Sequence, residues 1–476
     1  MALGNDPHAA LTALNRFGLG PKPGDLALAG SDPRGFLREE LRSSYAGVIG
    51  PGELPTTRKA LQTLFLDQYE KRMAREAAAM APPQGAAMDA KPQEGKPQDD
   101  KARLKEPNAE QKIFREEAMA RFLAQISARS GLIERLVAFW SNHFAVSVAK
   151  GGFVRASAGA FEREAIRPHV LGKFADLLIA VEQHPAMIFF LDNQRSIGPG
   201  SHAGRLDGKG LNENLAREIL ELHTLGVDGG YSQADVTTLA RIITGWSFAE
   251  ASSETGEPGA FLFKNNWHEP GAQTLLGRTY EQSGRAQGEA ALRDLARNPA
   301  TARHVATKFA RHFVADQPPK DLVEALSGNF LATDGDLTEL CRTLIDHDAA
   351  WRAPATKMRT PQEFVVAAFR ATGFPLKEPG PALNVVNALG MPLWQPGGPN
   401  GFADTASVWA SPEQMKLRLD ASWQMAQRVK DIEPMAALET AFGEAVSKET
   451  RETIARAESR PQALALLFMS PEFQRR

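Results

Sequence analysis

Apolar residues recur every three or four positions along almost the whole of this chain, and that spacing constrains the fold more than any other feature. A period near 3.6 puts such residues on one face of a helix, whereas a half-buried strand needs strict alternation. Phe122, Ile126, Ile133, Leu136 and Trp140 follow the helical spacing, as do Val305, Phe309 and Phe313. Alternating runs of Val, Ile, Thr and aromatics are scarce, and only 4 Tyr are present. Prolines fall between the periodic stretches: Arg167-Pro168, His184-Pro185, Asn298-Pro299, Pro318-Pro319, Thr360-Pro361 and Ser411-Pro412 each sit where one helix should give way to the next. The expectation is all-α: a single large irregular multi-helix body with Pro/Gly-rich connections and room for one short hairpin near residues 260–278, around FLFKNN.

Residues 73–107 depart from this pattern, offering Ala, Pro, Gln, Lys and Asp but almost no large apolar side chain. Such a segment buries too little surface to offset its ordering entropy, and reads as a low-complexity insertion between helices at 61–75 and 108–127. Residues 1–72 and 108–476 then form one helical domain. No internal repeat of fixed period is evident.

Charge and cysteine usage prune the functions. With 55 basic and 57 acidic residues the net charge is −2, so no nucleic-acid partner is expected. Cys341 is the sole cysteine, which excludes an internal disulfide and a thiolate-cage zinc site. A divalent metal cofactor would need His and carboxylate ligands. No secretory leader and no apolar run of about 18 residues is seen, so no transmembrane segment is expected. The default is a cytoplasmic location, with periplasmic or extracellular placement left open. Phosphate loops, dinucleotide fingerprints, the nucleophile elbow, HExxH and the calcium loop are all missing.

Residues 211–248 crowd polar side chains onto segments that must also build a core. Glu213, Arg217 and Glu221 form a row at i, i+4 and i+8, while His223 lies at the edge of the apolar row Leu215, Ile219, Leu222, flanked by Glu218. Asn212 and Asn214 favour a helix start after the glycine loop 194–210. Gly226 ends this helix, and Ser232-Gln233-Ala234-Asp235 reads as a capping box opening an antiparallel partner that carries Arg241 and leads to Trp246. Asn142 and His143 in FWSNHF, Asp192 at the end of an apolar helix, and His268 in a loop could bring further groups to the same place. His304, Lys308, Arg311 and His312 form a basic stripe, read as a solvated face.

NRFGLGP (15–21), FWSNHF (139–144), HPAMIFFLDN (184–193), NENLAREILELHTLGVDGGYSQADV (212–236), ARIITGWSF (240–248), LLGR, TDGDL and WQPGGPNGF together resemble the bacterial family of domains of unknown function numbered 1800. The resemblance runs in order over nearly the entire chain outside the insertion. It implies a helical fold, no established activity, and a sulfatase-like exported protein encoded nearby as a partner. His268-Glu269 stands where the family carries a His-Asp pair.

These features give the expectation of a polar cleft that binds, hydrolyses or transfers an anionic or polyhydroxylated small molecule or glycan. In it Glu218 and His223 serve as acid and base, and Asn142, His143, Asp192, Asn212, Glu213, Arg217, Arg241, Trp246 and His268 bind. The alternative is a non-catalytic assembly or maturation partner of the exported enzyme.

Overall fold

Proline opens helices because it lacks the N–H that the first turn leaves unbonded, while a polar side chain just before it can accept one of the remaining free N–H groups. The computed structural model, which describes residues 7–42, 49, 54–80, 107–207, 210–251, 253 and 255–476, shows this arrangement repeatedly. His184, Asn298, Thr360 and Ser411 cap helices whose first residue is proline. Helix makes up 65% of the chain and strand 4%, so the fold is all-α.

The helices that matter below are α1 (Pro7–Thr12), α2 (Thr57–Met80), α3 (Ala109–Ser127), α4 (Leu132–His143), α5 (Gly152–Phe161), α6 (Phe174–Glu182), α7 (Asn214–Glu218), α8 (Gln233–Ile242), α9 (Arg285–Ala296), α10 (Pro299–Phe313), α11 (Lys320–Ala332), α12 (Pro361–Thr372), α13 (Gly380–Ala388), α14 (Pro412–Arg428) and α15 (Arg460–Met469). Residues 73–80 of the expected insertion continue α2, residues 81–106 lie outside the described residues, and Pro107 leads into α3.

Some helices pack on the next in sequence, as α10 does on α11, and others join distant segments: α3 lies on α5, α6 on α9, and α14 on α15. One cluster of buried side chains extends from Ala10 to Phe473, so both ends of the chain share a core. Polar ties reinforce the join. Arg16 donates to the carbonyls of Ala350 and Ala353, each at 2.6 Å, and Arg359 donates to Asn15 Oδ1 at 2.7 Å. The buried Arg370 guanidinium caps the C-terminal end of α3, donating to the carbonyls of Gln125 and Ala128 and, through Nε, to Gly20. A cation there also meets the negative end of the helix dipole.

FLF forms a strand, β2 (Phe261–Phe263), but its antiparallel partner is β1 (Trp246–Phe248), upstream of the expected span. A second hairpin pairs β3 (Gln273–Leu275) with β4 (Arg278–Tyr280). No described helix is long and apolar enough to cross a membrane. Among the described residues three helices change to π geometry, at Ala13–Phe17, Glu162–Ile166 and Ile219–His223. Such turns are uncommon and recur at functional sites because they redirect side chains and free carbonyls.

Candidate functional site

The polar residues of 211–248 divide among separate surroundings. Glu213, at the start of α7, accepts from Thr237 Oγ1 at 2.7 Å and Gln233 Nε2 at 2.8 Å, while Arg217 donates to Gln233 Oε1 at 2.9 Å and to Glu213 at 3.3 Å. These bonds lace α7 to the first turns of α8. The capping box of Ser232 and Asp235 forms as expected.

The π turn at Ile219–His223 ends the next layer. Its freed carbonyls at Leu222 and His223 are taken by two imidazoles, His304 Nε2 at 3.1 Å and His143 Nε2 at 3.1 Å. This is the capping that a helix C-terminus requires. His223 itself is fully enclosed, with Nδ1 2.8 Å from Glu182 Oε1, which is equally enclosed. That contact has the distance of an ion pair without the alignment of a hydrogen bond, and both His223 nitrogens and both Glu182 oxygens make no hydrogen bond. Glu218 is half-buried one turn earlier, its carboxyl raised by burial against the opposing pull of His223.

Asp192, Asn212, Arg241, Trp246 and His268 lie around the glycine loop instead. Asn212 donates to the Asp192 carbonyl at 3.1 Å, and the Asp192 carboxylate, on a backbone with φ 59°, takes Lys150 Nζ at 2.6 Å. His268 Nδ1 lies 3.1 Å from the Thr244 carbonyl, and Asn193 donates to the carbonyls of Ile243 and Trp246. Half-buried Arg241 has no carboxylate partner among the described residues, and its Nε makes no hydrogen bond. No three His, Cys, Asp or Glu side chains among the described residues are grouped to hold a metal ion.

Asn142 belongs elsewhere, and it leads to the most chemically organised place in the molecule. Its amide makes a two-way pair with Phe402, accepting from Phe402 N at 2.7 Å and donating to Phe402 O at 2.9 Å. That pins the 394–404 crossing over a cavity of about 70 Å³. Each buried water needs roughly 10–15 Å³ by this measure, so the space takes about five water-sized groups. The lining includes Arg121, Gln125, Arg135, Ser141, Asn142, Glu162, His312, Gln362, Glu363 and Asp404, with Trp394 and Phe402.

The central pair is His312 on α10 and Asp404 on the crossing. His312 Nδ1 lies 2.9 Å from Asp404 Oδ2, and Nε2 is buried without a partner. Lys357, itself enclosed, holds Asp404 in place, donating to Oδ1 at 2.9 Å and to its carbonyl at 2.7 Å, and also reaches Asp316 at 3.0 Å. Arg476 at the chain end joins Glu363 at 3.0 Å and donates to the His312 carbonyl at 2.7 Å. Across the cavity, Glu162 accepts from Ser141 Oγ at 2.8 Å and Trp394 Nε1 at 3.1 Å and pairs with Arg121 and Arg167. Trp394 adopts φ 49°. That conformation costs a non-glycine residue about 1–3 kcal/mol and persists only where its surroundings enforce it.

Burial pulls His312 down to about 4, overriding the attraction of Asp404, while Arg135 and Arg476 add to the depression. The ring is therefore neutral at pH 7. A neutral ring against a carboxylate carries its proton on Nδ1, which leaves a lone pair on Nε2. Asp404 is held well below the usual carboxylate range: burial opposes its ionisation, but His312, Lys357 and Arg476 outweigh that. Glu363 is likewise lowered to about 2, burial being outweighed by Arg476 and Arg135.

Reading residues in sequence did not reach this pair. The stripe expected to be solvated is not: none of His304, Lys308, Arg311 and His312 is exposed. Burial lowers Lys308 to about 8. The available signal was indirect: a histidine stripe whose opposite face was already apolar, and an aspartate two residues beyond the WQPGGPNGF crossing. No curated protein and no solved structure matches the chain. The family pattern described as protein of unknown function (DUF1800) matches residues 12–475, and the chain belongs to that family.

Proposed function

We propose that the protein is a hydrolase or transferase whose acid–base centre is the Asp404–His312 dyad, acting on one end of a small polyhydroxylated molecule or glycan. The observation that carries this is His312 Nε2, buried, unpartnered and lining a cavity while Nδ1 is engaged by a fixed carboxylate. In that state the ring accepts a proton from an attacking water or hydroxyl and returns it to the leaving oxygen. Asp404 keeps the tautomer and steadies the transient imidazolium. His223 is fully enclosed beside Glu182 and is not part of the cavity lining, so in this reading the base role falls to His312.

Charge favours a neutral ligand over an anion. Arg121, Arg135, Arg167, Lys357 and Arg476 are matched by Glu134, Glu162, Glu363, Asp316 and Asp404 through direct pairs. What remains for a ligand are the side-chain amides of Gln125 and Gln362, which bond to nothing else among the described residues, and His312. Amides and imidazole suit hydroxyl groups.

The test is turnover of a panel of chromogenic esters and glycosides by wild type, His312→Asn and Asp404→Asn. Removing the base should lower kcat by about 10²–10⁴, with the aspartate variant also impaired and circular dichroism unchanged. Absence of turnover by wild type across the panel, or equal turnover by the variants, overturns the reading. The competing role as a non-catalytic assembly partner draws on the internal neutralisation of the same ion pairs, since buried networks can fix one conformation without touching a ligand. It predicts variants that alter melting and leave no activity to lose.

A further inference from the structure

A second cavity, of about 260 Å³, lies between α12, α13, α14 and α15, away from the dyad. Its walls are apolar: Val365, Phe369, Leu376, Val385, Met425 and Phe468. Val365, Phe369, Val385, Met425 and Phe468 stand on these four helices, and Leu376 on the segment between α12 and α13. Lys377 and Arg428 also border it. Both are exposed, and neither has an ion-pair partner among the described residues; Glu378, which also borders the cavity, faces Arg115 at 3.7 Å and leaves a net positive rim. A mainly apolar wall with two uncommitted cations at its edge is complementary to a molecule with a hydrocarbon tail and a negative head.

We infer that this cavity binds a free medium-chain carboxylate, the chain lying among Val365, Phe369, Val385 and Phe468 and the head meeting Arg428 and Lys377. By the same measure of roughly 10–15 Å³ per water-sized group, the space accepts about twenty such groups, room for a chain of ten carbons. This site is independent of the dyad and needs no chemistry from it.

Calorimetric titration of the full chain with hexanoate, octanoate and decanoate tests the tail. Each added methylene is worth about 0.8 kcal/mol, which is about fourfold in affinity, until the cavity is full. Decanol and the double variant Arg428→Gln/Lys377→Gln test the head, and both exposed substitutions spare the core. Decanoate should bind one to one and at least about tenfold more tightly than decanol, and the double variant should erase that preference. Ala368→Leu, which narrows the cavity, should weaken both ligands. Equal binding of decanoate and decanol, an unchanged preference in the double variant, binding without fixed stoichiometry, or no binding overturns the inference. A dimer that Ala368→Leu disperses would also overturn it, in favour of a second copy of the chain as occupant.

Discussion

His304 makes the stability of this protein depend on pH in a way that can be isolated. The ring is held neutral by burial, with its protonation lowered to about 4 and further disfavoured by Lys308, and Nε2 lies 3.1 Å from the Leu222 carbonyl. An unfolded histidine titrates near 6.5, so between about pH 6.5 and 4 the unfolded chain binds the proton and the folded chain does not. Stability therefore falls as pH drops through that window. Integrating the two titrations gives about 2 kcal/mol lost between pH 7 and pH 5 from this one ring. His143 and His312 act in the same direction. Glu117 and Glu218, whose carboxyls burial raises, act in the opposite direction over the lower part of the window. The comparison with His304→Gln removes these shared contributions, because the glutamine amide can still donate to Leu222 and does not titrate. Urea unfolding followed by circular dichroism at pH 7, 6 and 5 should show wild type losing about 2 kcal/mol more than the variant across that range. Parallel pH dependences for the two proteins would refute the reasoning, since they would mean that the folded ring accepts protons as readily as the unfolded one.

Other consequences are as direct. Gly401→Ala should destabilise by more than about 1 kcal/mol and loosen the crossing above the dyad, because the residue has φ 73° and a methyl there would overlap the Asn142 carbonyl; thermal melting and proteolysis near residue 401 would report it. Cys341 is enclosed in the core and its thiol pushed up by burial, so iodoacetamide should modify it only after denaturation; rapid labelling of the native protein at pH 8 would contradict the packing.

Local chemistry explains what could be read directly from the chain. Proline after Asn298, Thr360 and Ser411, and the Ser232–Asp235 box, act through bonds within one helical turn, so their sequence spacing is their geometry. The FLF strand was visible as a short apolar run, but its partner at Trp246–Phe248 was not, because strand pairing across a long connection leaves no periodic trace. The same limit hid the dyad. His312 and Asp404 are separated by 92 positions, and nothing in either neighbourhood specifies the other. In the polar cluster at 211–223 one position, His223, lies deeper than its spacing suggests, for a related reason. A π turn at Ile219–His223 rotates His223 inward toward Glu182, whereas a regular 3.6-residue period leaves it at the edge of the apolar face.

The state of the His312 ring tests the account most directly. In ¹⁵N-resolved NMR of the imidazole side chains at pH 7, with His312→Asn for assignment, the account predicts a neutral ring protonated on Nδ1, with Nε2 carrying no proton and titrating only near pH 4. A ring protonated on Nε2, or one that carries a positive charge at pH 7, would contradict it.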